Sequence, residues 1–570
     1  MNRFRDHAEA DAQQAVDIIS NWSKDWKLSL NATKSEVCYF STWSHEAKHT
    51  PSITIDGTPI PFNPTPKLLG VTYDRTLSFE AHVKEITRST TTKLRMLGAV
   101  SNSKWGWDKE HIIQLYYAYI RSKPDYSGPG WQPWLSETAV NTLERTQNKA
   151  LRMVTGQLQS SPCEALRYET GVVSYATHMK RNVLKSREKA KRLPTNHPRY
   201  LAYSQAIPHR NSRRSWARLG QELEALLPPA AQDRQPLSLS TSPPWQAQNS
   251  TVIFAELEGI TSKSDDPSAI RAAAVAAIDK WDSDLTIFTD GSAVGGSLQG
   301  GAAAVVRIQD DPPRFEKILE RGAAFTSSFE EECAALELAI TWISENCIPT
   351  SRPLIITDSQ SLCKALSGYN PVISHLRSRL ENCGATVGIQ WVPGHCGING
   401  NEMADQAANE ARLQPTPNRD TSYKGIIPAI KQSIKDPPCR PQYKYIAEAY
   451  SKYAKSKEKQ LSSKWDAVYL ARLRSGHHWD LRTYLHRVTV NSVASTIGPT
   501  CPRYREEAED TPHLFRCPGT IALRQEIFGT VEVPLSALTD HPVQALTLAQ
   551  RSLRGAGNKK DAPSNLPATH

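Results

Sequence analysis

The sequence predicts an α/β fold over residues 282–415, a mixed five-stranded sheet flanked by helices, preceded by a mostly helical region. Three observations carry this. Apolar runs at Leu285–Phe288, Pro353–Thr357 and Thr386–Val392 are of strand length, and the first two lead into Asp290 and Asp358. Between them, Ser328–Ile343 repeats its apolar residues at helical spacing, with Ala335, Leu336, Ala339 and Ile340 on one face. Upstream of residue 205 the text is dominated by helix-periodic segments that bear Arg and Lys.

With 570 residues the chain exceeds one core, and roughly two to four domains are expected. Hydrophobic residues make up 39%, and 38 Pro exceed 29 Gly, as in globular pieces separated by stiff joints. A net charge of +10 points to a polyanionic partner, because neutralised phosphates release their counterions. Ten cysteines without regular spacing and no secretory leader fit a reducing compartment better than a disulfide scaffold. No apolar run reaches the length of a membrane span, so a soluble intracellular protein is expected.

In chain order, Ala8–Leu30 places Ala15, Ile18, Ile19, Trp22 and Trp26 three and four apart, an amphipathic helix whose stripe is expected in the core. Glu36–Phe40 reads as a strand and Ser52–Ile60 as a hairpin turning at Asp56-Gly57. Helices follow at His82–Leu97, His111–Ile120 and Glu137–Val154. Met179–Arg192 holds seven cations and one Glu before Pro194, either a solvated helix face or one that contacts phosphate. Residues 206–281 turn rich in Pro, Ser, Gln and Ala and read as a partly disordered linker, with a short alanine-rich helix at Arg271–Lys280.

The next stretch, Thr286–Ser292, is expected to deliver Asp290 into a tight turn. Gly300–Arg307 and Arg314–Glu320 read as its antiparallel neighbours, and Asn401–Arg412 as a closing helix with Asp405 near its first turn. Two strands that end in carboxylates, with a helix carrying Glu332 across them, can gather Asp290, Glu332, Asp358 and Asp405 in one crevice. Such like charges raise one another's pKa unless a divalent cation fills the gap, and a hard, oxygen-preferring ion such as Mg2+ suits the donors, with Mn2+ as the alternative. Each piece alone has a plainer reading: Asp290-Gly-Ser as an Asx turn, Glu332 as a solvated helix residue, Asp358 as a helix cap, His395 as an exposed loop residue. Glu330 and Glu331 compete with Glu332.

In their fixed order, however, these blocks resemble the type-1 ribonuclease H family. The resemblance covers residues 282–415: Thr289–Ser292 as Thr-Asp-Gly-Ser, Glu332 followed by alanine at three and seven residues, Thr357–Gln360 as Thr-Asp-Ser-Gln, and Gly394-His395 ten residues before Asp405. It implies a ribonuclease H-like fold and Mg2+-dependent endonucleolytic cleavage of the RNA strand of an RNA:DNA hybrid, leaving 3′-hydroxyl and 5′-phosphate ends. It also implies Asp290, Glu332, Asp358 and Asp405 as metal ligands, His395 as a mobile proton or product-release group, and Glu402 behind them. Donors at Gly291, Ser292, Ser359 and Gln360 would read the nucleic acid through the 2′-hydroxyl. The interval from Asp358 to Asp405 lacks the separate basic segment with which some members grip the hybrid, and residues 1–205 are expected to supply that grip.

Residues 1–205 in turn resemble the palm end and thumb of a non-LTR retrotransposon reverse transcriptase. The blocks are Asn21–Lys34, Leu68–Val71, Leu77–His82 and Leu143–Gly156. In that family the polymerase carboxylates lie upstream of the tryptophan helix, and no paired aspartates occur before residue 200, so no polymerase activity is expected. The family's chromosomal target implies nuclear residence. Residues 416–530 are read as helical, with Ala447–Leu473 the clearest segment, and 531–570 as a tail. The block Cys501-Pro-Arg-Tyr504 with His513 and Cys517 resembles a retrotransposon zinc knuckle whose second cysteine is Tyr504. Three ligands remain where structural zinc sites use four, so zinc is not expected. The competing reading of the whole is a non-catalytic nucleic-acid-binding remnant.

Overall fold

The computed structural model describes residues 5–102, 105–204, 216–237, 252–258, 266–308, 313–368, 370, 373–415, 419–450, 460–490 and 498–554. The chain forms two compact units: Met1–Asn182, Arg214–Trp216 and Lys435–His570 make one, Val183–Arg213 and Ala217–Ile434 the other.

In the first unit the Arg5–Asp25 helix forms, but its apolar stripe is on the surface and not in the core: Trp22 is 54% exposed and Trp26 68%. The reason is that the helix docks through polar side chains. Gln13 makes two hydrogen bonds with the Thr54 backbone, Glu9 accepts the Ser52 amide and Ser20 donates to Asp56, so the helix completes the open edge of a small hairpin. That hairpin pairs β1 (Thr54–Ile55) with β2 (Thr58–Pro59) through Asp56 (φ 48°) and Gly57 (φ 79°), the left-handed pair that a two-residue turn requires. A second hairpin, β3 (Lys67–Leu68) and β4 (Val71–Thr72), turns at Leu69-Gly70 in the same way. Glu36–Phe40, expected as a strand, contributes a single bridge from Val37 to Phe62.

The helices Glu80–Val100, Lys109–Leu115 and Glu137–Thr155 bury Leu94, Leu97, Ile112, Leu151 and Val154 together. Ser136 caps the last of them through the Ala139 amide, and Gly156 (φ 65°) ends it. The carboxyl-terminal part of this unit has its own core around Tyr469, Leu473, Phe515, Leu538 and Leu548. Of the expected Ala447–Leu473 helix, Lys444–Ala449 and Lys464–Arg474 are helical, and residues 451–459 lie outside the described set. The stretch read as a tail from 531 instead forms the Pro542–Arg554 helix with Leu548 and Leu553 buried, while 555–570 fall outside the described residues.

The second unit is built on a six-stranded mixed sheet in the order β5-β10-β9-β6-β7-β8. The strands are β5 (Val252–Phe254), β6 (Leu285–Val294), β7 (Leu298–Ile308), β8 (Arg314–Arg321), β9 (Pro353–Thr357) and β10 (Gly388–Trp391). β6, β7 and β8 form an antiparallel meander, and β6, β9, β10 and β5 run parallel. The sixth strand, β5, comes from the stretch read as a linker, which also supplies the helices Trp216–Glu224 and Pro267–Asp279. Most of the remaining linker residues lie outside the described set. Ala335, Ala339, Ile340 and Ile343 of the Ser328–Asn346 helix are fully buried on the sheet, as their spacing predicts.

The basic run 179–192 is divided: Lys180 and Lys189 are exposed, while its carboxyl-terminal cations are neutralised on folding. Arg187 and Lys191 both pair with Glu224, and Arg192 meets Glu188 at 2.6 Å with both side chains fully buried. Arg234 closes the network on Glu188 at 3.0 Å and on Glu224. Removing one partner of a buried ionic network strands the others, so Glu188→Ala is expected to destabilise the protein by about 3–5 kcal/mol, read from denaturant unfolding. No helix among the described residues is long and apolar enough to cross a membrane.

Candidate active site

β6 lies at the centre of the sheet and does not turn at Asp290. The strand continues to Val294, with Asp290 opposite Ala303, and the chain reverses only at Gly295-Gly296 (φ 57° and 73°). Asp290 therefore stands on a rigid, doubly paired strand and is 6% exposed. On the neighbouring parallel strand, β9 ends at Thr357 and sets Asp358 at the carboxyl edge, where the Trp391 indole N–H donates to its backbone carbonyl at 3.1 Å.

Three consecutive glutamates begin the helix that crosses these strands, and each is used differently. Glu330 closes a capping box with Ser327. Glu331 is fully buried beside Gly300 and Gly322, accepts from Thr326 at 2.6 Å and pairs with Arg419. Glu332 is the one brought to the aspartates: side-chain oxygens of Asp290, Glu332 and Asp358 lie within 4.8 Å of one another. The approach depends on Gly291, where any Cβ would overlap the backbone of Glu331 and Glu332.

Three carboxylates this close resist ionisation together. Burial first, then the charges of Asp358 and Asp405, push Asp290 up to about 7. Burial followed by Asp290 and Asp358 holds Glu332 well above the usual carboxylate range. The Glu332 Oε2 atom is buried with no hydrogen-bond partner. A buried oxygen without a donor, among acids that raise one another's pKa, fits a hard divalent cation: Asp290, Glu332 and Asp358 supply the oxygen donors such an ion prefers.

Asp405 stands apart from that trio on the Asn399–Ala411 helix, which β7 receives closely because Gly301 has no side chain to meet Ala408 and Arg412. Its carboxylate accepts from Asn409 Nδ2 at 3.1 Å, and Asn409 Oδ1 accepts from the Ser292 hydroxyl at 2.8 Å. Ser292 is thus tied to Asp405 through Asn409, a residue the sequence reading passed over; its only signal was the four-residue spacing from Asp405 on one helix face. Asn409→Ala removes both the donor to Asp405 and the acceptor of Ser292 and is expected to cost about 1 kcal/mol of stability, read from denaturant unfolding.

The other sequence candidates are placed as follows. Gly394 lies against Asp358, with room for nothing larger: a Cβ would stand 2.6 Å from its Oδ2. His395 follows it, exposed and in the left-handed region (φ 57°), on the loop that covers this edge. The Gly291 amide hydrogen-bonds within the carboxylate cluster. Ser359 is buried, with its amide on Thr357 Oγ1, and Gln360 Nε2 donates to the Ala255 carbonyl beside β5. Glu402 occupies the first turn of the Asn399–Ala411 helix.

Residues 282–412 match the family model described as RNase H. Ribonuclease HI of Vibrio parahaemolyticus serotype O3:K6 is 31% identical over 157 residues, which is 25% of this chain and 96% of that protein. The probable RNA-directed DNA polymerase from transposon X-element of Drosophila melanogaster is 25% identical over 160 residues, covering 27% of this chain. The RNA-directed DNA polymerase from mobile element jockey of Drosophila funebris is 24% identical over 144 residues, covering 25% of this chain. The chain spans only 17% and 15% of the length of these two transposon proteins. Among solved structures, RNase H1 of the halophilic archaeon Halobacterium salinarum NRC-1 aligns with 22% of this chain and 96% of its own at 20% identity, with a TM-score of 0.19.

Proposed function

The chain belongs to the ribonuclease H family through residues 282–412, and on that premise we propose that it is a type-1 enzyme that cleaves the RNA strand of RNA:DNA hybrids endonucleolytically with Mg2+. The observation that carries the reading is the unpartnered buried Glu332 Oε2 atom beside Asp290 and Asp358. Bound there, magnesium would neutralise the cluster and lower the pKa of water at the scissile phosphate.

The chain's own residues do the rest. Asp290, Glu332 and Asp358 hold the donors in place on a strand, a helix and a strand end, so little reorganisation is needed as charge develops. Asp405, steadied by Asn409, extends the acidic edge toward Ser292. His395 projects into solvent on the loop next to Asp358, where it can take up or release a proton as product leaves. The 2′-hydroxyl distinguishes the RNA strand, and the half-buried backbone around Gly291 and Ser292 is the surface offered to it.

The similarity of about a quarter of the chain to transposon polymerases supports a retrotransposon-derived protein whose nucleic-acid partner is the hybrid made during reverse transcription. The test is cleavage of an end-labelled hybrid by the full chain across a Mg2+ titration, beside duplex DNA and single-stranded RNA. Hybrid-selective, chelator-sensitive cleavage supports the enzyme. Hybrid binding without cleavage at any Mg2+ or Mn2+ concentration supports the non-catalytic remnant instead.

A further inference from the structure

The loop 156–162 joins the helices Glu137–Thr155 and Cys163–Thr170 in the unit that holds residues 1–182 and 435–570. Arginines of that unit grip its backbone. Arg152 Nε donates to the Leu158 carbonyl at 3.3 Å, Arg152 Nη2 to that of Ser161 at 3.1 Å, and Arg472 Nε to that of Gly156 at 2.9 Å. So fixed, the loop sets an exposed serine, Ser160, against two buried side chains, His477 and Tyr484, each 3% exposed.

Ser160 Oγ lies 3.0 Å from His477 Nδ1 and 3.0 Å from the Tyr484 hydroxyl, and Arg487 Nη2 lies 3.0 Å from His477 Nε2. The direction of these bonds follows from the arginine. A guanidinium can only donate, so Nε2 accepts and the ring proton sits on Nδ1, which donates to Ser160 Oγ. Burial, then the charges of Arg487 and Arg152, push His477 down to about 3, so the ring stays neutral. Ser160 and Tyr484 then share one hydrogen bond between two hydroxyl protons, and one proton is left without an acceptor in the group. Arg487, exposed and 5.2 Å over the Tyr484 ring, spends one N–H on His477 and the rest on nothing else among the described residues.

The group is therefore rich in donors and poor in acceptors. Arg152, Arg472 and Arg487 meet no carboxylate within ion-pair distance among the described residues. Asp480, the one acid from residue 477 to 487, accepts instead from Tyr469 at 2.8 Å. Ser161 Oγ, next in the loop, is buried and without a partner. Positive charge and unspent donors that no internal acid offsets call for an oxyanion from outside the chain. A tetrahedral phosphate can accept from a guanidinium fork and from a hydroxyl at once, whereas a planar carboxylate is filled by the fork alone.

We infer that Ser160, Tyr484 and Arg487, aligned by His477, form a binding site for a phosphate oxyanion, either free or carried in a phosphodiester. Arg487 supplies the charge and a pair of N–H donors, and the Ser160–Tyr484 hydroxyl pair supplies a further hydrogen bond. His477 is a positioning residue: it takes one N–H from Arg487 and gives its own to Ser160, which ties the guanidinium and the loop to one point. The site shares no residue with the carboxylate cluster and stands whether or not that cluster cleaves RNA.

The experiment titrates the full chain, in chelator, with inorganic phosphate and with acetate at matched ionic strength, followed by calorimetry. Saturable binding of phosphate and none of acetate is expected. Arg487→Gln should weaken phosphate binding by about tenfold or more, and Ser160→Ala by about fivefold. Because a substitution can fail by unfolding, a further variant fills the site from within: Ser160→Asp brings its own carboxylate to the donors, and should abolish phosphate binding while raising the melting temperature measured without phosphate. A single-stranded oligonucleotide without terminal phosphates separates the two sources. If Arg487→Gln weakens its binding and phosphate competes with it, the ligand is a backbone diester; if only inorganic phosphate responds to Arg487→Gln, the ligand is the free ion. The inference is overturned if the wild type shows no saturable phosphate binding or binds acetate as tightly. It is equally overturned if folded Arg487→Gln, or Ser160→Asp, binds phosphate with wild-type affinity.

Discussion

Asp290→Asn is expected to abolish hybrid cleavage and, in chelator at pH 8, to make the protein more stable than the wild type. Both effects come from one charge. In the wild type the Asp290 carboxyl is buried on a central strand beside Asp358 and is pushed up to about 7. The unfolded chain would ionise it near 3.9. Between those values the folded protein binds a proton that the unfolded protein has already lost, so stability falls as pH rises from about 4 to about 7 and stays low above. Roughly three pKa units correspond to about 4 kcal/mol at most. Asparagine has nearly the same shape and no charge to lose, so the variant should show no such fall. In activity the same substitution removes a ligand from the group of three, and a loss of about 4 kcal/mol of transition-state stabilisation is about a thousandfold in rate. Saturating Mg2+ should restore stability to the wild type and do nothing for the variant. Unfolding curves at pH 5 and pH 8, with and without chelator, read all four states. A wild-type stability that is flat across this range would refute the buried-charge account of the site.

The parts of this arrangement that were legible in the sequence are those whose signals are local. Asp290 and Asp358 each follow an apolar run, and Glu332 keeps step with Ala335 and Ala339, so strand and helix periodicity single out these three carboxylates. What escaped is non-local. The second of three glutamates could not be assigned to Arg419 across 88 residues, nor could the sixth strand be seen in three residues set within a polar stretch. The basic run looked like a surface because Glu224, which neutralises Arg187 and Lys191, lies more than thirty residues further along the chain and meets them only after folding. The tryptophan stripe erred in the opposite direction: helical periodicity reveals a face but not what covers it, and here the polar face makes the contacts. Asp290 was expected in a turn because Asp-Gly-Ser is turn-like by composition; its pairing with Ala303 of β7, one residue beyond the last pair with β9 at Thr289, keeps it extended.

Gly291→Ala is expected to cost about a hundredfold in activity while adding only a methyl group. The residue has ordinary extended backbone, so the penalty is not one of conformation. It is one of space: the methyl carbon would stand 2.2 Å from the Glu332 amide nitrogen and 2.3 Å from the Glu331 carbonyl carbon, both backbone atoms of a helix packed across the sheet. Neither can rotate away, so β6 and the Ser328–Asn346 helix must separate by roughly 1 Å, a displacement that costs on the order of a hundredfold in rate when it falls on catalytic groups. Overpacking of this kind also costs about 1–3 kcal/mol. Glu332 would be drawn from Asp290 and Asp358, and Glu331 from the Arg419 side chain that anchors it. Gly295→Ala supplies the comparison, since nothing lies within 4 Å of its Cβ position and its φ of +57° imposes only local strain. That variant should lose about 1 kcal/mol of stability and keep its rate. Melting temperature and single-turnover cleavage, measured for both, separate the two causes. If Gly291→Ala melts lower yet cleaves at the wild-type rate and wild-type Mg2+ dependence, the close approach of strand and helix supports the fold without positioning Glu332.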